Sequence, residues 1–281
     1  PWRVERHPAV GATVVGSMLA PVPGGKGLNQ AVAASRVGAE VALVGCVGDD
    51  DDGRRLRSVV VDEGIDLAHL RTEPDLPTGS ALIVVAADGA NTVTVAPGAN
   101  AAAAWAEVTL GPHDVVCAQL EVPAETVAAA LLAAHEAGAR SVLNPSPIGV
   151  GVSLVPAADV VVVNEHEAID LAGFAGDPIE QAQAICTGDQ TVVVTLGAKG
   201  VVSVGPSGNH VVGGVHVHPV DTTGAGDCFL GVLAASLAAG CEVVVALERA
   251  NRAAAVAVTR AGTVDAMPHA DEYETLAGFL M

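Results

Sequence analysis

Two glycines, an alanine and an aspartate at 224–227 set the first chemical expectation. Gly224, Ala225 and Gly226 stand where a β-branched stretch (211–220) gives way to an apolar, Ala- and Leu-rich stretch (229–239). The first reads as a strand region and the second as a buried helix ending at Gly240. Small residues at such a junction let backbone N–H groups converge, and a helix start carries unpaired donors and the positive end of its dipole. That geometry favours a phosphate or a developing anion. Asp227 falls in or near the first helical turn. It is either a favourable first-turn charge or a general base that takes a proton from an attacking hydroxyl. Spacing alone leaves both open.

Other polar groups follow the same pattern of turn, then helix. Gly24-Gly25-Lys26-Gly27-Leu28-Asn29-Gln30 precedes an apolar helix and is not a Walker A loop, which needs Gly-x-x-x-x-Gly-Lys-Ser/Thr. By itself it reads as a tight turn with a solvated lysine. Gln119-Leu120-Glu121 ends a strand, where Glu121 serves equally well as a hydroxyl acceptor or as a helix cap. Asn164-Glu165-His166-Glu167 reads first as an acidic opening turn of an ordinary helix. Lysine occurs only at 26 and 199, both in glycine-rich turns, which makes each a candidate for a specific task.

Asp221-Thr222-Thr223-Gly224-Ala225-Gly226-Asp227 resembles the C-terminal signature of the PfkB-type carbohydrate kinases, the ribokinase family. Residues 24–34, followed by Gly38-Ala39 and Gly45-Cys46-Val47-Gly48-Asp49-Asp50, resemble the N-terminal signature of that family. The two stand in the family's order, and the resemblance covers nearly the whole chain. It implies a three-layer α/β fold with a mostly parallel central sheet flanked by helices. A small β-sheet lid from about 1–22 and 78–98 would belong to the same single domain, 1–281. It implies ATP-dependent phosphorylation of a sugar, with the 5-hydroxyl of D-ribose as leading acceptor. The alternatives are another sugar or a nucleoside, or a sugar-binding protein of this fold without catalysis.

The resemblance also carries roles. Asp227 becomes the base, with the N–H groups of Gly224, Ala225 and Gly226 stabilising the transferring phosphoryl group. Gly25, Lys26, Asn29 and Glu121 fall on the sugar side. Asn164, Thr195, Gly197, Gly200, Gly226 and Asn251 fall on the nucleotide side, and Glu167 would serve Mg²⁺ through water. Asp221, Thr223, Ala257, Arg260 and Gly262 resemble a loop that binds K⁺ mainly through backbone carbonyls, although Ala266 stands where relatives often supply a hydroxyl. A homodimer through the lid is a further expectation. Family members usually open with a strand ending in an Asn-x-Asp segment that grips the sugar. This sequence starts just after that place, which is the expectation for an incomplete chain.

The elements that must position these groups alternate between strand and helix. Buried strands are expected at 41–47, 114–120, 142–143, 160–163 and 191–195, with 201–204 pairing back. Helices are expected at 28–37, 125–137, 165–171, 179–185 and 243–258, and Asp49 to Asp52 with Gly53 lead into another that ends near Gly64. Four consecutive valines at 160–163 mark a strand covered on both faces. A hairpin over 81–96 turns at Asp88-Gly89. The alternation predicts a mostly parallel sheet with ligands at the carboxyl ends of its strands. Asp49 to Asp52 do not make an EF-hand: Gly53 at the sixth position puts Gly48 first and Val59 last, where carboxylates are required. Helix capping accounts for them better.

Composition bounds the rest. The 281 residues suffice for one large domain, and 51 % hydrophobic with 2 % aromatic content means a core of Val, Ala and Leu. A formal charge of −19 argues against nucleic acid and against an anionic membrane surface as partners. The five cysteines are an odd number without a Cys-x-x-Cys pair, and read as free thiols of a reducing, cytoplasmic compartment. The apolar stretch 228–241 is too short to span a bilayer. His210, His216 and His218 have no Cys or carboxylate to complete a metal set, and read as solvent-facing strand residues. Gly224, Gly226 and Gly231 miss the Gly-x-Gly-x-x-Gly spacing of a dinucleotide site.

Overall fold

The computed structural model describes residues 2–87, 91–105 and 108–274. The chain opens with two short strands, β1 (Trp2–Val4) and β2 (Gly16–Met18), and then helix α1 (Lys26–Arg36). Strand β3 (Gly45–Gly48), helix α2 (Asp51–Asp62) and strand β4 (Leu70–Glu73) follow, and then β5 (Ser80–Val85) and β6 (Asn91–Ala96). β5 and β6 pair antiparallel as a hairpin, and β1 bridges β5 to β2 in a four-stranded sheet of order β2-β1-β5-β6. The Asp88-Gly89 turn lies outside the described residues.

From β7 (Val115–Gln119) onward strands and helices alternate: α3 (Ala124–Ala137), β8 (Arg140–Asn144), β9 (Val160–Asn164), α4 (Glu165–Ala172), α5 (Pro178–Ile185) and β10 (Thr191–Thr195). β11 (Gly200–Val204) and β12 (His210–Gly213) close the main sheet, and α6 (Ala225–Ala238), α7 (Val243–Ala257) and the short α8 (Ala270–Glu274) end the fold. The six-stranded sheet has the order β12-β11-β10-β9-β8-β7. β7 to β10 run parallel, while β11 and β12 are antiparallel to their neighbours.

The valine run explains the layering. Successive strand side chains point to opposite faces. Val160 and Val162 pack with Leu230, Leu233, Leu247 and Ala250 of α6 and α7, and Val161 and Val163 pack with Val127 and Leu131 of α3 on the other side. Both faces are therefore buried, as a central parallel strand requires. The result is three layers, with α1, α6 and α7 on one side of the sheet and α3, α4 and α5 on the other.

Three local expectations are corrected. The strand expected over 41–47 is formed only at 45–48 and pairs with β4, whose Leu-Arg-Thr-Glu sequence gives no strand signal. Val41 to Val44 stay half-exposed or exposed, with only an Ala42–Asp66 bridge, so burial does not hold them extended. The strand region expected over 211–220 stops at Gly213, because Gly214 turns in against Ala198, whose carbonyl a Cβ would overlap at 1.9 Å. His216 and His218 thus lie beyond the strand, exposed.

Two polar anchors tie the outer elements to the layers. At the end of α1, Arg36 donates to both carboxylate oxygens of Glu63 at 2.5 and 2.9 Å and to the carbonyls of Val264 and Met267 at 3.0 and 2.6 Å. The pair is mostly buried, so removing the guanidinium strands a carboxylate and two carbonyls. Between the small value of exposed pairs and the larger cost of breaking buried ones, Arg36→Ala should destabilise by about 2 kcal/mol. Differential scanning calorimetry should show the melting midpoint fall by about 5 °C, and an unchanged midpoint would contradict this.

Asp50 caps α2 by accepting from the Gly53 N–H at 2.8 Å, and also accepts from the Thr78 hydroxyl at 2.5 Å and N–H at 2.7 Å. Hydrogen bonds from Thr78 and then Gly53 hold its carboxyl at about 2, below the ordinary 3.8. A carboxyl depressed on folding contributes stability above its unfolded value and loses it as pH falls through the folded one. Asp50→Asn should therefore be less stable than the unsubstituted protein near neutrality, with the difference closing between about pH 4 and pH 2. Urea midpoints measured across that range check it; a pH-independent difference would refute the assignment.

Candidate active site

The site begins with a helix-to-helix contact. α6 crosses α1 so closely that a Cβ on Gly231 would lie 2.3 Å from the Gln30 carbonyl oxygen and 2.7 Å from Ala33 Cβ. Residues four apart share a helix face, so Asp227 sits one turn nearer the start of α6 on that same face. There it meets α1: Asn29 Nδ2 donates to Asp227 Oδ2 at 2.8 Å and Gln30 Nε2 donates to Oδ1 at 2.9 Å. Asp227 is only 8 % exposed, and these amides stabilise a carboxylate that burial would otherwise penalise.

Gly224, at φ +77°, turns the chain into α6. The first intrahelical bond runs from the Cys228 N–H to the Gly224 carbonyl at 2.8 Å, so the amides of residues 225–227 have no acceptor one turn back. The Ala225 N–H approaches the Thr222 carbonyl at 3.3 Å, which among the described residues leaves the N–H groups of Gly224 and Gly226 uncommitted, and of these two residues Gly226 lines the cleft. The start of α1 lies opposite. Gly25 adopts φ +101°, which admits glycine most readily, and the next N–H, that of Lys26, donates to Glu121 Oε2 at 2.8 Å. Burial pushes the Glu121 carboxyl above its ordinary value, with the Asp227 charge adding to the rise and Lys26 opposing it.

A cleft at the carboxyl ends of the parallel strands joins these parts. Lys26, Gly226 and Asp227 line it with Asn144, Asn164, Glu167 and Thr195. Asn164 and Glu167 form a capping box, each side chain bonded at 2.9 Å to the other's backbone N–H, which engages Oε2 of Glu167. Among the described residues no group of three or more His, Cys, Asp or Glu side chains is placed to hold a metal ion. A divalent ion here would draw one carboxylate from Glu167 and the rest of its oxygens from phosphates and water, a donor set that suits Mg²⁺.

The remaining expected residues form two other groups. Asp221 accepts from the N–H groups of Thr223 at 2.9 Å and Gly262 at 3.1 Å, joining the loop before α6 to the loop after α7. Burial raises the Asp221 carboxyl, but hydrogen bonds from Thr223 and Gly262 outweigh it and hold the group below its ordinary value. The Ala257 carbonyl accepts from the Arg260 N–H at 3.1 Å, and the Arg260 guanidinium pairs with Glu272 at 2.6 Å. Gly197 and Gly200 shape the β10–β11 turn outside the cleft lining, where Lys199 Nζ reaches Glu165 at 2.9 Å. Asn251 donates to the Gly213 carbonyl at 2.8 Å, fastening α7 to β12.

Sequence reasoning passed over Gln30, Cys117, Gln119 and Asn144. Gln30 Oε1 accepts from Gln119 Nε2 and from the Cys117 thiol at 3.3 Å, and Asn144 Nδ2 donates to the Val162 carbonyl at 2.9 Å. The available signal was positional, since Gln119 and Asn144 each end a strand that points at the cleft. A larger groove, lined by Glu40, His113, Asp114, Ser236 and Arg249, lies at the opposite ends of the strands, away from these groups.

Comparison with known proteins bears on the chain as a whole. The sequence profile described as pfkB family carbohydrate kinase matches residues 4–270. A ribokinase of Bacillus subtilis is 36 % identical over 278 residues, covering 97 % of this chain and 93 % of its own length. A ribokinase of Haemophilus influenzae is 34 % identical over 273 residues, covering 93 % and 89 %. The structure of Arabidopsis thaliana ribokinase complexed with ribose and ATP superposes with a TM-score of 0.86 at 26 % identity, covering 98 % of this chain and 94 % of that one.

Proposed function

The chain belongs to the pfkB family of carbohydrate kinases, and from that premise we propose that it transfers the γ-phosphoryl group of ATP to the 5-hydroxyl of D-ribose. The observation that carries the reading is Asp227 at the start of α6, its two carboxylate oxygens held by the side-chain amides of Asn29 and Gln30 of α1, in one cleft with Lys26 and Gly226. The acceptor hydroxyl gives its proton to Asp227 as its oxygen bonds to the γ-phosphorus. The bond from that phosphorus to the β–γ bridging oxygen breaks, and ADP leaves with the electron pair. Amides at the helix start, with Gly226 in the cleft lining, stabilise the charge on the transferring group.

Lys26, Asn29 and Glu121 bind the sugar. Asn29 Oδ1 is buried and, among the described residues, lacks a hydrogen-bond partner, which suits a sugar hydroxyl as donor. Asn164 and Thr195 lie toward the phosphates, with the β10–β11 turn and Asn251 toward the base. Glu167 would hold Mg²⁺ through water, and the ion would supply neutralising charge to the phosphates. K⁺ is the expected activator at the loops joined by Asp221. The four-stranded sheet serves as lid and dimer surface, which its exposed Trp2, Met18, Leu82, Val93 and Val95 support. Five free thiols fit a reducing cytoplasm.

The test is ADP release by the purified protein with ATP, Mg²⁺, K⁺ and a panel of pentoses, ketohexoses and nucleosides. Turnover confined to ribose is expected. Turnover only with another acceptor would reassign the substrate, and sugar binding without ADP release would remove the kinase reading.

A further inference from the structure

We propose that Gln30 is a positioning residue for the reaction, fixing the orientation of the Asp227 carboxylate from behind the cleft. The inference rests on the kinase reading above and names a residue that reading does not use. Gln30 is 3 % exposed, and a buried amide must find partners for both its ends. Its Oε1 accepts from Gln119 Nε2 and from the Cys117 thiol, both on β7. Burial pushes that thiol up to about 12, so it remains S–H and keeps donating at neutral pH. Two donors on one side therefore fix which way the amide faces. The reversed amide would set its oxygen against the Asp227 carboxylate and its N–H₂ against the Gln119 and Cys117 donors. Nε2 accordingly points at Asp227 Oδ1, at 2.9 Å.

The consequence is a relay from β7 through Gln30 to α6 that refers the carboxylate plane to the central sheet. Asn29 holds the other oxygen but belongs to the sugar side, where its unpartnered Oδ1 is offered to an arriving hydroxyl. Gln30 has both ends committed, to β7 and to Asp227, and offers an arriving hydroxyl no free group. It keeps Oδ1 anchored while Oδ2, which has a further lone pair, meets the hydroxyl proton. A carboxylate free to rotate would bind substrates as before and react more slowly, because orientation matters most in the transition state.

The test uses Gln30→Met, similar in length but unable to hydrogen-bond in this way, and Gln30→Glu, which keeps an acceptor for Gln119 and turns a carboxylate toward Asp227. The ionisable groups around Asp227 are Lys26 of α1, Glu121 after β7, Glu167 of α4, Cys117 of β7 and Cys228 of α6, and burial lifts both thiols to about 12. Gln30→Met should lower kcat about ten- to a hundredfold while the KM for ATP stays within about threefold. Gln30→Glu should move the acid limb of the kcat/KM profile upward by about one pH unit or more, because adjacent carboxylates resist joint ionisation. The proposal is overturned if Gln30→Met, folded by circular dichroism, turns over within about twofold of the unsubstituted protein. It is equally overturned if kcat, both KM values and the melting midpoint worsen together while Gln30→Glu leaves the acid limb in place. Absence of turnover by the unsubstituted protein with every sugar would instead end the kinase reading. The unfolding free energies of Gln30→Met, Asp227→Asn and the double variant then decide the contact: non-additive values uphold it and additive values overturn it.

Discussion

Asp227→Asn is expected to lower kcat by at least about 10²–10⁴-fold, the range a positioned acid or base contributes, while ATP binds nearly as before. Asparagine fills the same space and cannot take a proton. It also sets one amide among the donors of Asn29 and Gln30, so the geometry suffers together with the chemistry. Apart from Gly226, the groups proposed for the nucleotide come from other elements: Asn164 and Thr195 end β9 and β10. Steady-state kinetics should therefore show a loss in kcat with the KM for ATP little changed. Near-normal turnover would take Asp227 out of the mechanism, and an equal loss of ATP affinity would recast it as a nucleotide-binding group.

Gly231→Leu is expected to have the second-largest effect, on folding and catalysis together. A helix-interior glycine is ordinarily a weakness, and replacing it gains up to about 1 kcal/mol of helix propensity. Here the opposing term wins, because the first new carbon would lie 2.3 Å from the Gln30 backbone oxygen and 2.7 Å from Ala33 Cβ. Backbone cannot swing aside as a side chain does, so α6 must move off α1. Overpacking of this kind costs roughly 1–3 kcal/mol, and the leucine should fall at the upper end. The same displacement carries Asp227 away from Asn29 and Gln30, and a misplacement near 1 Å is worth about a hundredfold in rate. Calorimetry and kcat measured on one preparation check both effects. A Gly231→Leu protein with an unchanged midpoint and full turnover would show that the helices are not locked at this point.

Much of this was legible in local sequence, for reasons the structure makes explicit. The run Val160–Val163 announced a strand covered on both faces, and it forms one with α6 and α7 on one side and α3 on the other. Gly138 closes α3 in the left-handed conformation that glycine adopts readily, so that boundary was readable from one residue. The apolar run at 229–239 marked the body of α6 and put Asp227 in or near its first turn, and the structure starts the helix at Ala225. What stayed hidden depends on pairing between distant segments. β4 carries no strand signal and exists because β3 lies alongside it. Gly214 leaves the strand because of contacts with Ala198 and Lys199. In the site, Asp227 and Lys26 stood out by type and turn context. The amides that hold Asp227 are 197 and 198 positions away, and no local pattern tells a glutamine that orients a carboxylate from one that fills space. Asn251 shows the converse: its place on α7 was legible, but the Gly213 carbonyl that takes its amide was not.

The most direct test of a phosphoryl-transferring pocket is the fate of the phosphorus itself. Phosphorus-31 NMR of the unsubstituted protein with ATP, Mg²⁺, K⁺ and D-ribose should show the γ resonance of ATP replaced by a phosphomonoester signal. That signal should be split into a triplet by the two protons of a CH₂ group, as phosphate on the 5-hydroxyl requires. ATP left intact, or converted only to ADP and inorganic phosphate, would contradict the account.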